Sequence, residues 1–439
     1  MNAKRAQTIT QLRSALQVNS TLQASELRLP LGISQPTLSR LLSGFGSELA
    51  VLGKGPRTRY GLHRNVRGLG THWPVFRITE MGEIEKLGEL HALHQGAFWF
   101  DTARRCDWLS GEFQSGLFPD FPWFLSDLRP QGFLGRTLAR QIAPALLYEA
   151  DPRNWSADLA LHALLAFGSD LSGNLVIGEA ALEAAQNAKR VVHSINALPE
   201  LAERALTGEW MGSSAAGEQP KFGCWLLELD AKTALQAARA CLVKFSPPMD
   251  SRAGQRWADL LAAESIADGF LGGSSYTVDA GNRRFLVSPR FDRIGVRGRQ
   301  GFVSLGAADT AYFGGLDNWA SCATRFQQAG WLSSADANTL RLRYYFGRAI
   351  ANNDMHFGNA SLIFDHKLPM SLAPNYDMLP MHFAPLASGE ILVRTFNLPA
   401  LSDDQLQATA HDLARQFWAR VASDARVSAD FAEIARRLG

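Results

Sequence analysis

An aspartate and an asparagine with four residues between them, Asp354 and Asn359, lie in the run Asn352-Asn353-Asp354-Met355-His356-Phe357-Gly358-Asn359. That spacing suits phosphoryl transfer. A carboxylate orients an attacking hydroxyl and takes its proton, while an amide oxygen one short turn away ligates Mg²⁺ beside the phosphate. Asp377 follows eighteen residues after Asn359, in Asn375-Tyr376-Asp377-Met378-Leu379. The strand-like stretch Ala360 to Phe364 between them would let a hairpin return Asp377 to the same metal. Two protein oxygens plus phosphate oxygens suit Mg²⁺, which keeps several waters. A D-x4-N spacing alone is common by chance; the downstream aspartate lifts it above that background.

The parts needed to hold ATP lie upstream. Lys244 sits in the apolar run Cys241-Leu242-Val243-Lys244-Phe245, where a lysine needs a partner or an anion. The plainer alternative is an edge lysine whose head reaches water. Glu264, in the helical stretch Trp257 to Phe270, could pair with it as a kinase helix glutamate does. Before both comes a run of small residues, Met211 to Lys221. Within it Ala216, Gly217, Glu218, Gln219, Pro220 and Lys221 would let backbone N–H groups approach phosphates. It is not a Walker loop, because Gly217 is followed by Glu218 rather than lysine. The order of these parts is that of a two-lobed kinase.

The elements that position such a site begin with a basic head. Residues 1–77 hold eleven Lys or Arg and two acids, a balance of +9, whereas the remainder holds 33 basic and 40 acidic residues, a balance of −7. That asymmetry is expected when one domain meets a polyanion and the other does not. The head, residues 1–65, reads as a winged helix-turn-helix. Ile9 to Val18 and Ala24 to Leu29 have helical patterns, and Leu31-Gly32-Ile33 forms the turn. Ser34 caps a third helix, Gln35 to Leu42, with Pro36 in its first turn. Leu38, Leu41 and Leu42 face inward, leaving Ser34, Gln35, Thr37, Ser39 and Arg40 as candidate base contacts. A strand, a basic turn and a second strand follow, Leu49 to Leu62, whose Lys54, Arg57 and Arg59 could neutralise phosphates. Residues 66–72 read as a linker.

Residues 73–288 read as an α/β subdomain and kinase N-lobe, and 289–439 as a mainly helical C-lobe, so the fold class is α+β. Within the body, Ala180 to Arg204 reads as helix; Trp225 to Glu228, Ala240 to Phe245 and Phe285 to Ser288 read as strands; the chain beyond Gly330 turns helical. With 46% apolar and 20% charged residues, the composition is that of ordinary globular domains and argues against extensive disorder. No apolar run has membrane-spanning length and no signal core follows Lys4 and Arg5, which points to a cytoplasmic protein. The four scattered cysteines imply neither a zinc site nor a disulfide framework. His91 and His94 read as packing or surface residues, and the aromatics from Phe98 to Phe124 as core.

With these motifs in hand, the chain resembles the HipA-type serine/threonine kinases, the type II toxin family. Ser214-Ala215-Ala216-Gly217-Glu218-Gln219-Pro220-Lys221 resembles the family's S-x-x-G-x-Q-x-K loop, and Arg290-Phe291-Asp292-Arg293 its RFDR at the hinge. Asn353 to Asn359 resembles its N-x-D-x-H-x-x-N loop with one residue fewer between Asn and Asp, and Tyr376-Asp377 its metal aspartate. Phe124 to Leu138 and Leu164 to Val176 resemble its N-terminal subdomain. The fused head resembles the YjjJ-like branch.

The resemblance implies ATP and Mg²⁺ as cofactors, Asp354 as catalytic base, and Asn359 and Asp377 as metal ligands. It further implies that Lys244, Ala216 to Lys221, His356 and the hinge residues Pro289, Arg290 and Phe291 meet the nucleotide, with Ser214 or its neighbour Ser213 autophosphorylated. Pro289 stands at the hinge, where the family usually has a glutamate before the arginine, and it lacks an N–H donor. The implied protein substrate is an aminoacyl-tRNA synthetase or another translation factor, and the implied partners are DNA, a HipB-like antitoxin and a second copy of the chain. The alternative is a transcriptional regulator whose kinase-like body only senses a nucleotide or ligand. A small-molecule kinase would share every feature of the ATP site.

Overall fold

The computed structural model describes residues 2–146, 148–149, 151–208, 219–229, 236–400 and 404–439. The expected loop residues Ser213, Ser214, Ala216, Gly217 and Glu218 lie outside the described residues. The architecture is mixed α+β.

The chain opens with α1 (Asn2–Val18), β1 (Leu22–Gln23), α2 (Ala24–Leu31) and α3 (Gln35–Leu42), then a hairpin of β2 (Leu49–Leu52) and β3 (Arg59–Leu62). Its three strands pair in the order β1-β3-β2. Helix α2 runs two residues beyond the expected Leu29 and ends at Gly32, whose φ of 60° is left-handed and suits glycine at a helix terminus. Ser34 accepts the Thr37 N–H to cap α3, and Pro36 occupies the first turn, where no helical N–H is needed. Leu38, Leu41 and Leu42 pack on Leu12, Leu16 and Leu27, so the opposite face of α3 is left to solvent.

A second, five-stranded sheet has the order β7-β6-β5-β4-β8, from β4 (His72–Ile78), β5 (Ile84–Ala92), β6 (Phe98–Asp101), β7 (Leu117–Phe118) and β8 (Leu175–Ile177). Helices α4 (Gly132–Leu146) and α5 (Ala157–Phe167) precede β8. The first unit is docked on this sheet. Ala50 and Leu52 pack with Leu93, Ala97 and Trp99, and Val66 in the connecting segment is fully buried.

The expected single helix from Ala180 to Arg204 is in fact two, α6 (Glu179–Asn187) and α7 (Leu198–Leu206), separated by a short strand β9 (Val192–His193). The adjacent Val191 and Val192 favour extended backbone, and Pro199 fits only the first turn of a new helix. A third sheet follows, formed by β9 with β10 (Lys221–Leu229), β11 (Gln236–Phe245), β12 (Tyr276–Ala280) and β13 (Arg283–Pro289), in the order β12-β13-β11-β10-β9. Between β11 and β12 runs α8 (Arg252–Phe270), which begins five residues before the expected Trp257. Strand alternation sends Phe222, Val243 and Val287 onto α7, and therefore sends their neighbours Lys221 and Lys244 to the other face.

The C-terminal part comprises β14 (Arg293–Ile294), β15 (Gly298–Arg299), β16 (Phe302–Ser304), α9 (Leu305–Tyr312), α10 (Trp319–Gln328), α11 (Ser334–Ala349), β17 (Ser361–Ile363), α12 (Gln405–Ser423) and α13 (Ala429–Leu438). The stretch from 351 to 400 is mostly irregular rather than helical, in keeping with Pro369, Pro374, Pro380, Pro385 and Pro399 along it. Trp123, Phe124 and Trp108 stack with Tyr312, Trp331 and Phe364, so the second sheet and the C-terminal helices share one core. The aromatics from Phe98 to Phe124 are core, as read from the sequence. His91 lies in β5 and His94 in a single 3-10 turn, so strand geometry, not one helix face, places this pair.

Candidate active site

The third sheet and the C-terminal helices face each other across a cleft of about 1040 Å³, at the upper end for a small-molecule site. Strand β11 delivers Lys244 into it, and helix α8 delivers Glu264 from the adjacent wall. The Lys244 Nζ donates to Glu264 Oε1 at 2.5 Å and also to Asp377. The pairing expected from sequence is therefore present, with Asp377 as an additional partner. Burial is the largest influence on Lys244 and disfavours its charge, but Asp377 and Glu264 outweigh it and hold the ammonium well above lysine's usual range. Burial also pushes Asp377 up, yet Lys244 and Lys221 overcome it and bring that carboxyl down to about 2. Glu264 goes the other way. Burial raises it despite Lys244, and its Oε2 has no hydrogen-bond partner among the described residues.

The loop after α11 carries the remaining groups. Asn352, not Asn353, is the loop's first asparagine. Its Oδ1 accepts the Asp354 N–H at 3.0 Å, and its Nδ2 reaches the Asp377 carbonyl at 3.3 Å. It is buried, whereas Asn353 is exposed. Taking Asn352 as the start restores the full N-x-D-x-H-x-x-N spacing, which corrects the residue read above as missing. Asn359 donates its Nδ2 to the Asp354 carbonyl at 2.8 Å, which leaves its Oδ1 for a ligand. Asp354 is exposed and is not among the residues that line the cleft, although His356 and Asn359 of the same loop are. Its partial desolvation raises its pKa, and His356 opposes that rise.

Two residues here hold left-handed backbone without being glycine, Ala351 (φ 62°) and Asp377 (φ 55°). Such conformations persist where surrounding contacts dictate them, and they gather at functional sites. The contacts are visible. Tyr376, one residue before Asp377, is within 2.5 Å of Ser361 Oγ and donates to the Gly358 carbonyl at 2.9 Å. Trp319 Nε1 donates to the His356 carbonyl at 3.1 Å. The loop and the Asp377 segment are thereby fastened to each other and to α10.

Of the residues singled out from sequence, Lys221, Lys244, Pro289, Arg290, Phe291, His356, Asn359 and Asp377 line this one cleft. Gln219 and Pro220 precede β10 without lining it. The Arg290 guanidinium is engaged with Asp292 at 2.8 Å, and its N–H closes the sheet on the Ala240 carbonyl. Its guanidinium and its N–H are therefore both engaged within the protein, and its carbonyl accepts the Arg293 N–H at 3.3 Å. Asp127, also on the cleft wall, carried no signal of its own in the sequence. Its carboxylate accepts from Ser304 N at 2.6 Å and Ser304 Oγ at 2.8 Å, and burial raises its pKa.

The residues proposed for the head divide differently. Gln35, Ser39, Arg40, Lys54 and Arg57 are exposed. Ser34 and Thr37 hydroxyls bond each other at 2.9 Å within the cap. Arg59 donates to Thr21 Oγ1 at 2.8 Å and to the Thr21 carbonyl at 3.0 Å, with Glu26 at 4.0 Å, so it ties the hairpin to the turn before α2.

The family model of the YjjJ-like toxin middle domain matches residues 69–186, and that of the HipA-like C-terminal domain matches 213–438. Toxin YjjJ of Escherichia coli (strain K12) is 36% identical over 433 residues, covering 94% of this chain and 93% of that one. Among solved structures, the Shewanella oneidensis MR-1 HipA, HipB and operator DNA complex aligns with a TM-score of 0.49 at 15% identity, over 83% of this chain and 94% of that one. The Helicobacter pylori proinflammatory kinase CtkA aligns at 0.31 and 10% identity, over 48% and 90%. Among the described residues, no helix is long and apolar enough to cross a membrane.

Proposed function

The chain belongs to the family of YjjJ-like toxins with a HipA-like C-terminal domain, and from that premise we propose that it is an ATP- and Mg²⁺-dependent protein kinase acting on serine or threonine hydroxyls. The observation that carries this is one cleft holding a lysine paired to a helix glutamate, an asparagine and an aspartate, with a second aspartate, Asp354, on the loop that brings His356 and Asn359 to it.

The residues fit both cofactors. ATP would supply the phosphoryl group, and Mg²⁺ held by Asp377 and the Asn359 Oδ1 would neutralise phosphate charge. Lys244 keeps Asp377 ionised, the state a metal ligand needs. The Asn375 Nδ2, a buried donor on the cleft wall without a partner among the described residues, and Lys244 offer hydrogen bonds to an anion. Glu264 holds the Lys244 ammonium in place for the nucleotide phosphates. At the hinge Pro289 presents only a carbonyl, which can accept from an adenine amino group, so the missing N–H does not exclude adenine there.

Asp354 orients the substrate hydroxyl and receives its proton. A carboxylate raised by partial desolvation is the better base for that step. Asn352 and Asn359 fix its backbone, so its reach is set before substrate arrives. The acceptor expected within the chain, Ser213 or Ser214, and an aminoacyl-tRNA synthetase or other translation factor as target rest on family resemblance.

The test is phosphotransfer from radiolabelled ATP with Mg²⁺, followed by peptide mapping, with Asp354→Ala alongside. Label on Ser213 or Ser214 that disappears in a folded Asp354→Ala protein is expected; retained label would refute the assignment.

A DNA-binding role for the head is supported by the exposed face of α3 and by Lys54 and Arg57 at the hairpin tip, a winged helix-turn-helix arrangement. In this reading the toxin represses its own promoter from the cytoplasm, in place of or beside a HipB-like antitoxin. Salt-dependent binding to its upstream DNA is expected.

A further inference from the structure

The RFDR segment does more in this fold than line the cleft. The Asp292 carboxylate is buried and accepts from the Arg290 Nε (2.9 Å) and Nη2 (2.8 Å), from the Arg293 Nη1 (2.8 Å), and from the Gly173 N–H (2.8 Å). Arg293 in turn donates to the carbonyls of Gly173 (3.0 Å) and Leu171 (2.6 Å) and to the Asp170 carboxylate (2.6 Å). Arg299 reaches the Ser169 carbonyl at 2.7 Å. Residues 169–173 belong to the middle domain of the chain, within 69–186, whereas Arg290 to Arg299 belong to the HipA-like domain. The two domains are thus joined at the hinge by charge-assisted bonds, and Ser172 of the middle domain lines the cleft beside Pro289 and Phe291.

We infer that Asp170 is a positioning residue for nucleotide binding: through Arg293 and Asp292 the middle-domain loop holds the hinge in the conformation that receives the base. The inference rests on the kinase reading above and adds a second domain to the nucleotide site. Three arginines, Arg290, Arg293 and Arg299, face two carboxylates in this cluster. Burial and the like charge of Arg293 hold Arg299 down to about 9, a sign that the cluster is already short of negative charge. Removing the Asp170 charge leaves Arg293 without its outer partner and lets it compete with Arg290 for Asp292. The hinge then loses its fixed orientation while Asp354, Asn359 and Asp377 keep theirs.

The experiment measures nucleotide affinity by calorimetry with ATP and Mg²⁺, and autophosphorylation kinetics, on the full chain and on Asp170→Asn. A rise of roughly tenfold in the dissociation constant and in KM, with kcat at saturating ATP within about twofold, is expected for loss of one charge-assisted contact. The conservative Asp170→Glu should recover most of the affinity. A double variant, Asp170→Asn with Arg299→Gln, restores the charge balance. It should melt like wild type yet still bind nucleotide weakly, because Arg293 still lacks its Asp170 partner. Wild-type affinity in a folded Asp170→Asn protein, or affinity that returns with melting temperature in the double variant, would overturn the inference. A wild-type chain that binds no nucleotide would overturn the kinase reading and this one with it.

Discussion

Replacing Lys244 with methionine isolates the electrostatics of the cleft. The lysine is 5% exposed and answers two carboxylates, Glu264 at 2.5 Å and Asp377. Methionine fills similar volume, so the chief consequence is two facing carboxylates without their cation. Breaking a buried ion pair by removing one partner costs about 3–5 kcal/mol when the remaining charge cannot neutralise. Here it can. Burial already raises Glu264, and loss of Lys244 raises it further, so Glu264 takes up a proton as pH falls. A group whose folded pKa lies above its unfolded value contributes stability below the unfolded pKa and loses it as pH rises through the folded one. The variant should therefore be about 3 kcal/mol less stable than wild type at pH 8, with the gap narrowing toward pH 5. Urea unfolding of both proteins at the two pH values checks this through midpoints at matched slopes. Wild type should behave in the opposite sense at lower pH. With Asp377 held at about 2, it loses the contribution of that group, on the order of 2 kcal/mol, as pH falls from about 4 toward 2. A Lys244→Met protein as stable as wild type at pH 8, or one that gains stability with rising pH, would refute the electrostatic account. In either case phosphotransfer should be abolished.

Asn352→Ala removes one bond to the Asp377 carbonyl and one within the loop from the Asp354 N–H, and should lower kcat by roughly 10²-fold or more while costing about 1–3 kcal/mol in thermal unfolding; an unchanged kcat would show that the loop needs no such tie. Arg57→Ala and Lys54→Ala should each weaken DNA binding uniformly across sequences and lower the salt slope by about 1, whereas Arg59→Ala should chiefly destabilise the head, measured by paired binding and melting curves. The seam between the head and the second sheet should loosen in acid. His91 is buried against His63 and His72, with Glu89 and Lys86 nearby, and burial holds it down to about 4. Its folded pKa lies below the ordinary 6.5, so the unfolded form takes up the proton first. Stability then falls by up to about 3 kcal/mol as pH drops from about 6.5 to 4, and amide exchange in β3 should report it, with the dependence reduced in His91→Phe.

Local chemistry made much of the molecule legible. Ser34 and Pro36 announced a helix start and the apolar run around Lys244 announced a strand, because these signals depend on neighbours in the chain; the spacing of Asn359 and Asp377 pointed to one site, and both line the same cleft. Where a signal depended on choosing between adjacent residues, burial decided it. Asn352 and Asn353 are chemically identical in sequence, and only the fold buries one of them between Asp354 and Asp377. The split of Ala180 to Arg204 into two helices likewise turned on whether Val192 had a strand to join, and that strand is β10, more than thirty residues away in register at Trp225. Arg59 looked like a free phosphate ligand until Thr21, distant in sequence, took its donors. The joining of Asp170 to Arg293, 123 residues apart, left no trace in spacing or periodicity. Sequence determines what each side chain can donate, accept or ionise. Tertiary structure decides which of those capacities are already satisfied by a partner and which are left for a ligand, because hydrogen bonds and desolvation act between groups that meet only after the chain has folded.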